Sequence, residues 1–228
     1  MPFVVIEGLD GSGKSTQIKL IRKYLDDSGI TYHYLHFPRT EINPFGELIA
    51  GFLRGDFGEI GQVHPKLVAS IYALDRMDAK IKMDKWLENK ELILCDRYVY
   101  SNIAFQCAKL TNLNEKTALA SWIKEIEFNY FKIPKPGLSL YLNVPFPFIA
   151  RNLTTQRQGD DRGYLEGKAD IHEEDLEFQR KVHETYMWQV GIQNDFIPVD
   201  CLATDSDILS ADEIFKRLLA LFHQNSII

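Results

Sequence analysis

Phe3-Val4-Val5-Ile6-Glu7-Gly8-Leu9-Asp10-Gly11-Ser12-Gly13-Lys14-Ser15-Thr16 is the stretch on which the reading of this chain turns. Phe3 to Ile6 is a compact apolar run with β-branched residues, the pattern of a buried strand. A glycine-rich turn follows, then a helical pattern carrying Ile18, Ile21 and Leu25. Residues 8–15 match G-x-x-x-x-G-K-[ST] in full, with the strand before it and the helix after it that the motif requires. Glycines let the backbone curl so that successive N–H groups point at phosphate oxygens, and the helix N-terminus adds its dipole. Lys14 can bridge β- and γ-phosphates, and the Ser15 hydroxyl can ligate Mg²⁺. Gly8, Gly11, Ser12, Gly13, Lys14, Ser15 and Thr16 are therefore the candidate cradle for a nucleoside triphosphate, ATP with Mg²⁺. A plain glycine-rich strand-to-helix turn is the competing reading. The full motif in full context speaks against it.

Outward from this loop, short apolar runs alternate with helical patterns. Asp26 to Gly29 stops the first helix, with Gly29 available for a left-handed cap. Strand candidates follow at Tyr32 to Phe37, Leu92 to Cys95, Leu138 to Val144 and Phe196 to Val199. Helical patterns cover Lys66 to Leu87 (apolar at Leu67, Ile71, Leu74 and Ile81), Glu115 to Phe131 (Leu119, Trp122, Ile123, Ile126 and Tyr130), a turn or two around Ile149, Glu173 to about Val190, and Ala211 to His223. Residues 43–64 form a glycine-containing connection with one short helical stretch, Leu48 to Leu53. Thr154 to Ala169 mixes Gly159, Gly163 and Gly167 with charged residues, the composition of a mobile surface loop. The alternation predicts an α/β, three-layer P-loop domain, a mostly parallel sheet with helices on both faces, and a mobile lid at about 151–172. No interdomain linker or repeat divides the 228 residues, so one domain over 1–228 is expected.

The bulk numbers narrow the class. Of the residues, 45% are apolar and 25% charged, ordinary values for a globular protein, which excludes disorder and fibrous repeats. No run approaches the length of a spanning helix, and the N-terminus lacks a basic n-region, so neither a membrane nor a signal peptide is expected. Three scattered cysteines, Cys95, Cys107 and Cys201, make neither a disulfide framework nor a metal site and suggest the cytoplasm. A net charge of −6 argues against nucleic acid as a partner.

Several residues could form a second substrate site. Asp96 ends the Leu92 run, and a carboxylate at the end of a parallel strand lies near the ligand crevice. Arg97 and Arg39 offer planar forks for a second phosphate. As a bare pair, Asp96-Arg97 reads better as a surface ion pair worth little. Tyr72 and Arg76 share one helix face and could stack on and hydrogen-bond a base. Equally, they could be a core tyrosine with an arginine snorkelling beside it. Asn102 and Phe105 are open between core packing and a base pocket. A regulatory GTPase is not supported: Asn89-Lys90-Glu91-Leu92 has Leu92 where the guanine-binding aspartate belongs.

Taken in order, Glu7 to Thr16, Phe37-Pro38-Arg39, Ala73-Leu74-Asp75-Arg76, Asp96-Arg97-Tyr98-Val99-Tyr100-Ser101-Asn102 and Pro134-Lys135-Pro136 resemble the thymidylate kinase (dTMP kinase) family of P-loop nucleoside monophosphate kinases. The likeness covers nearly the whole chain. It implies Mg²⁺-dependent transfer of the ATP γ-phosphoryl group to dTMP, giving dTDP, by a homodimer. It also implies residue roles: Asp10 at the 3′-hydroxyl and near the metal, Arg39 and Arg97 at the 5′-phosphate, Arg76 at the thymine carbonyl with Tyr72 stacked on the ring. Phe37, Asn102 and Phe105 match pocket positions. With glycine at position 11 the cations are expected from the lid, where Arg151, Arg157 and Arg162 are available; Lys14 and Arg97 complete the catalytic set. Ser15, Asp10, Asp96 and Glu173 are the metal candidates. The chain departs from the pattern at Gly137, at Tyr72 in place of phenylalanine, in a longer lid, and at His172 in place of a tyrosine by the sugar. His172 could serve as a hydrogen-bonding imidazole or be a solvated helix-start residue with an ordinary pKa. Two alternatives stand beside this reading: a related kinase with another base preference, and a P-loop protein that binds ATP without phosphoryl transfer.

Overall fold

The computed structural model describes residues 2–154, 165, 170, 172, 175–204 and 207–228. Strands β1 (Phe3–Glu7), β2 (Tyr32–His36), β3 (Leu92–Asp96), β4 (Leu138–Asn143) and β5 (Phe196–Asp200) form one parallel sheet in the order β2-β3-β1-β4-β5. β1 and β3 are buried along their whole length, which is why their sequences carry no polar alternation. The chain leaves β1 toward β2 on one side, then crosses from β3 to β4 on the other. That reversal puts a crevice beyond the carboxyl end of β1, where the phosphate loop lies.

Right-handed crossovers sort the helices by face. Helix α1 (Lys14–Asp27) packs with the last helix, α8 (Ala211–Gln224). Gln17 Nε2 donates to the Ala211 carbonyl at 3.0 Å, and the rings of Tyr24 and Phe215 meet at 6.0 Å. The other face carries α3 (Pro65–Glu88), α4 (Val99–Cys107), α5 (Leu113–Lys124) and α7 (Leu176–Ile192). Short helices α2 (Pro44–Leu53) and α6 (Phe146–Thr154) stand at the carboxyl edge. Helix ends are stopped by side chains suited to the task. Asn43 Oδ1 accepts from Gly46 N at 2.7 Å at the start of α2, and Ser210 with Glu213 closes a capping box on α8.

Two expectations are corrected, and one helix is added that was not expected. Helix α4 had no periodic signature: all nine of its residues, Ser101, Asn102 and Gln106 included, are buried, and a helix buried all round shows no stripe. The Glu115 to Phe131 pattern is not one α-helix, because after Lys124 it continues as a π-helical turn, Glu125–Tyr130. The wider turn changes the facing of its last residues, so Tyr130 is exposed rather than packed. On α3 the buried face is Val68, Ala69, Ala73, Ala79 and Met83, while Leu67 and Ile81 stand in solvent at 65% and 82% exposure.

Candidate active site

The phosphate loop begins on the last residue of β1 and closes on the first turn of α1. Gly11 and Gly13 both have φ of 81°, the left-handed region that glycine enters without strain. Among the described residues the Ser12 hydroxyl is buried without a hydrogen-bond partner; Thr16 N–H already meets the Gly13 carbonyl at 3.1 Å, and the N–H groups before it are those a helix start leaves without an intrahelical acceptor. A curled backbone with unspent donors fits an anion. Lys14 is buried, with Nζ 2.8 Å from Asp96 Oδ1 at the end of β3. His36 Nδ1 stands 3.2 Å from Asp96 Oδ2. Burial pushes the Asp96 carboxyl upward, but Lys14, His36 and Arg97 outweigh it and leave its pKa below the usual range. Asn152 of α6 donates to the Gly11 carbonyl at 2.7 Å, fastening the end of that helix to the loop.

Arg97 faces the loop from β3. Its Nη2 lies 2.7 Å from Asp10 Oδ1, Nη1 reaches Ser101 Oγ at 3.4 Å, and the guanidinium sits over the Phe105 ring at 5.4 Å. Burial disfavours its charge, yet Asp10 and further anions around it raise its pKa, so it stays cationic. Its backbone is at φ 64°, a conformation bulky residues rarely adopt. Beneath it, Glu7 is completely buried and accepts from the N–H groups of Tyr98 (2.9 Å) and Ser101 (3.2 Å) and from the Ser101 and Tyr186 hydroxyls. Burial, the largest influence, raises the Glu7 pKa despite these donors. One carboxylate at the end of β1 thus caps α4 and holds the Arg97 turn.

The remaining arginines are also tied to carboxylates. Arg39, after the cis Phe37–Pro38 bond, donates to both Asp75 (Nε to Oδ1, 3.0 Å) and Asp78 (Nη2 to Oδ2, 2.7 Å) on α3. Phe37 is buried against it, ring to guanidinium 5.6 Å. Arg76 is 1% exposed and does not snorkel; it forks onto Glu127 of the π turn through Nε (2.5 Å) and Nη2 (2.7 Å). Asn102 joins that pair, donating to Glu127 Oε1 at 2.9 Å and the Ala69 carbonyl at 3.1 Å. Tyr72 is half-buried on α3, within electrostatic reach of Asp170, Arg97, Arg76 and Asp10. Tyr72, Asp10, Arg97, Arg76, Asn102 and Phe105 therefore converge beside the phosphate loop. His172 is no solvated helix-start residue: it is 4% exposed, ringed by Phe52, Phe105 and Phe178 at 5.0–5.4 Å, and burial lowers its pKa to about 3.

Comparison with known proteins matches this arrangement. The family model described as thymidylate kinase aligns with residues 6–202. A probable thymidylate kinase of Pyrococcus horikoshii is 30% identical over 211 residues, covering 91% of this chain and 92% of its own. The thymidylate kinase of Plasmodium falciparum is 30% identical over 184 residues, 81% of this chain and 75% of its own. The chain belongs to the thymidylate kinase family. The fold agrees: the solved thymidylate kinase of Candida albicans superposes with a TM-score of 0.74 at 21% identity, over 99% of this chain and 92% of that one. Membership supports a phosphotransferase with a phosphate group as acceptor, acting on dTMP, over a merely ATP-binding protein.

Within this thymidylate kinase frame, Arg151 at the end of α6 is exposed and lies 2.8 Å from Asp207. Arg157, Arg162 and Glu173, with most of the expected lid, lie outside the described residues. Beyond α6, the described residues of the expected lid are Leu165, Asp170 and His172, and all three are buried. Sequence reading missed Glu7, Glu127 and Lys109. Glu7 had a signal, a carboxylate ending an otherwise apolar strand. Glu127 had one too, since Leu119, Ile123 and Glu127 repeat every four residues and are all buried. Lys109 had none; among the described residues its buried Nζ has no hydrogen-bond partner, it lies 4.7 Å from the Phe52 ring, and desolvation lowers its pKa to about 7.

Proposed function

We propose that this chain transfers the ATP γ-phosphoryl group to dTMP, giving dTDP, with Arg97 and Lys14 as the cations on either side of the transferred group. The observation that carries this is the meeting of two cationic side chains from β3 and α1 above one sheet edge, each held by a carboxylate. Phosphoryl transfer asks little covalent work of a protein. It requires the two phosphates in line and positive charge around the developing transition state. Lys14 leaves Asp96 for the β- and γ-phosphates, and Arg97 leaves Asp10 for the acceptor phosphate. Asp10 is thereby released to accept from the 3′-hydroxyl of the sugar. Arg39 is the second acceptor-phosphate cation, and Tyr72 stacks on the base above Arg76 and Asn102.

Mg²⁺ fits the donor set. Magnesium favours one or two carboxylates with phosphate oxygens and water rather than an all-protein cage. Among the described residues no three acidic or metal-ligating side chains cluster. Ser15 is exposed at the helix start, and Asp96 Oδ1 has Lys14 beside it but no aligned donor. Ser15 with Asp96 or Asp10 would hold the ion, and Glu173 remains a further candidate. When bound it neutralises charge on the β- and γ-phosphates. Arg151, Arg157 and Arg162 supply the lid cations, and closure of the lid excludes water.

A homodimer is part of the proposal, through the α3 face that leaves Leu67 and Ile81 exposed. A cytoplasmic home is supported by Cys95, Cys107 and Cys201, all buried and unpaired; among the described residues no helix is long and apolar enough to cross a membrane. The test is ADP release from ATP and Mg²⁺ against dTMP, dUMP, dCMP, dGMP, AMP and thymidine in parallel. Turnover concentrated on dTMP is the expected result. A different preferred acceptor keeps the phosphoryl chemistry and sinks the thymine reading, and silence with all six sinks both.

A further inference from the structure

We infer that Glu127 sets the base preference of this site by fixing Asn102 as a hydrogen-bond acceptor and Arg76 as a donor toward a pyrimidine that carries an N3–H and a C4 carbonyl. The inference rests on the base-pocket reading of Arg76 and Asn102. It adds a positioning residue on a different element, which touches no substrate itself.

The Asn102 side chain can present an acceptor or, turned over, a donor, and the two ends have the same shape. Here the choice is forced. One Nδ2 hydrogen goes to the Ala69 carbonyl and the other to Glu127 Oε1. Turning the amide over would set Oδ1 against a carbonyl oxygen and a carboxylate oxygen, with no donor for either. Oδ1 is therefore the end left over, and among the described residues it has no hydrogen-bond partner, buried on a side chain only 3% exposed. A buried, unpaired acceptor is costly unless something meets it.

The same carboxylate orders the guanidinium. Its bidentate grip takes Nε and Nη2 of Arg76 and leaves the Nη1 edge. Tyr72, one turn before Arg76 on α3, lies within electrostatic reach of Arg76, Arg97 and Asp10. The result is a fixed acceptor next to a fixed donor. A thymine or uracil ring offers the matching pair, N3–H and a carbonyl. Cytosine offers an acceptor at N3 and an amine at C4, wrong at both positions.

Glu127 sits in the π turn that continues α5, on the buried face that Leu119 and Ile123 begin. Glu127 is the one buried residue of the π turn, at 0% exposure, while Asn129 and Tyr130 beside it are in solvent. π turns inside α-helices concentrate at functional sites.

The deciding experiment measures kcat and KM for dTMP, dCMP and ATP in the wild type and in Glu127→Gln, with the fold of each checked by circular dichroism. Glutamine keeps the shape but cannot take three donors at full charge, and it frees the Asn102 amide to turn. KM for dTMP is expected to rise about tenfold, the size of one charged hydrogen bond. The dTMP-over-dCMP ratio of kcat/KM should fall by at least as much, with KM for ATP unchanged. A folded Glu127→Gln enzyme with the wild-type ratio overturns the inference while leaving the base reading intact. A wild type that does not discriminate dTMP from dCMP overturns both. Should Glu127→Gln fail to fold, the same ratio read on Glu127→Asp decides, because aspartate keeps the charge but withdraws it by one methylene. A reduced ratio supports the inference, and an unchanged one sinks it.

Discussion

Arg97 concentrates the chemistry of this site in one residue and one strained backbone. Its guanidinium is held by Asp10 and lies over Phe105, and its φ of 64° is the geometry that turns it back from β3 over the loop. Replacing it by alanine is expected to lower kcat on the order of 10²–10³-fold, as loss of a transition-state charge contact does, while ATP affinity stays near wild type. Isothermal titration beside steady-state rates checks it, and equal loss of ATP affinity would move Arg97 to the donor side. Strain gives a second expectation at the same position. Arg97→Gly should be more stable than Arg97→Ala by roughly 0.5–1 kcal/mol, since only alanine keeps the left-handed penalty. Chemical denaturation of the two variants measures the difference.

Lys109 gives a pH signature at the residue scale. Its folded-state pKa is depressed to about 7, below the value of an exposed lysine. Between about pH 7 and the ordinary lysine range the unfolded chain therefore binds more protons, and stability rises with pH. Below pH 7 the full penalty of a buried ammonium is present. Lys109→Met is accordingly expected to stabilise the fold most at about pH 6 and little by about pH 10. Urea midpoints at the two pH values test this; a gain that grows toward the alkaline end would contradict the burial argument.

At the scale of elements, α2 is clamped to the turn after β2 through Gly46. A Cβ there would stand 2.1 Å from the Arg39 carbonyl oxygen, a backbone atom that cannot swing aside. Gly46→Ala should cost about 3 kcal/mol or more of stability and weaken dTMP binding through displacement of Arg39. A variant as stable as wild type in urea would show that α2 can shift freely. The legibility of elements followed their periodicity. Helix α1 could be read from Ile18, Ile21 and Leu25 because one face is wet and the other dry. Helix α4 could not, since Val99 to Cys107 is buried on every side and is capped by Glu7, a residue far away in the chain. The π turn was invisible for a related reason: no local residue signals it, and only the Arg76 and Asn102 donors that Glu127 meets on neighbouring helices give it a purpose.

At the scale of the molecule, Leu67 and Ile81 lie close to four turns apart on one side of α3, both exposed to solvent. Ile81→Glu is expected to convert the proposed dimer to a monomer in sedimentation velocity; an unchanged dimer would place the interface elsewhere. By itself the sequence determined the phosphate loop, the alternation of strands and helices, and the family, because each is written in contiguous residues whose spacing obeys backbone geometry. Tertiary structure alone decided the strand order, the pairing of Arg97 with Asp10, Arg39 with Asp75 and Arg76 with Glu127, and the neutral state of His172. The physical reason is that charge state and hydrogen-bond direction depend on burial and on partners. The chain brings those together only by folding residues well separated in the sequence onto the carboxyl side of one sheet.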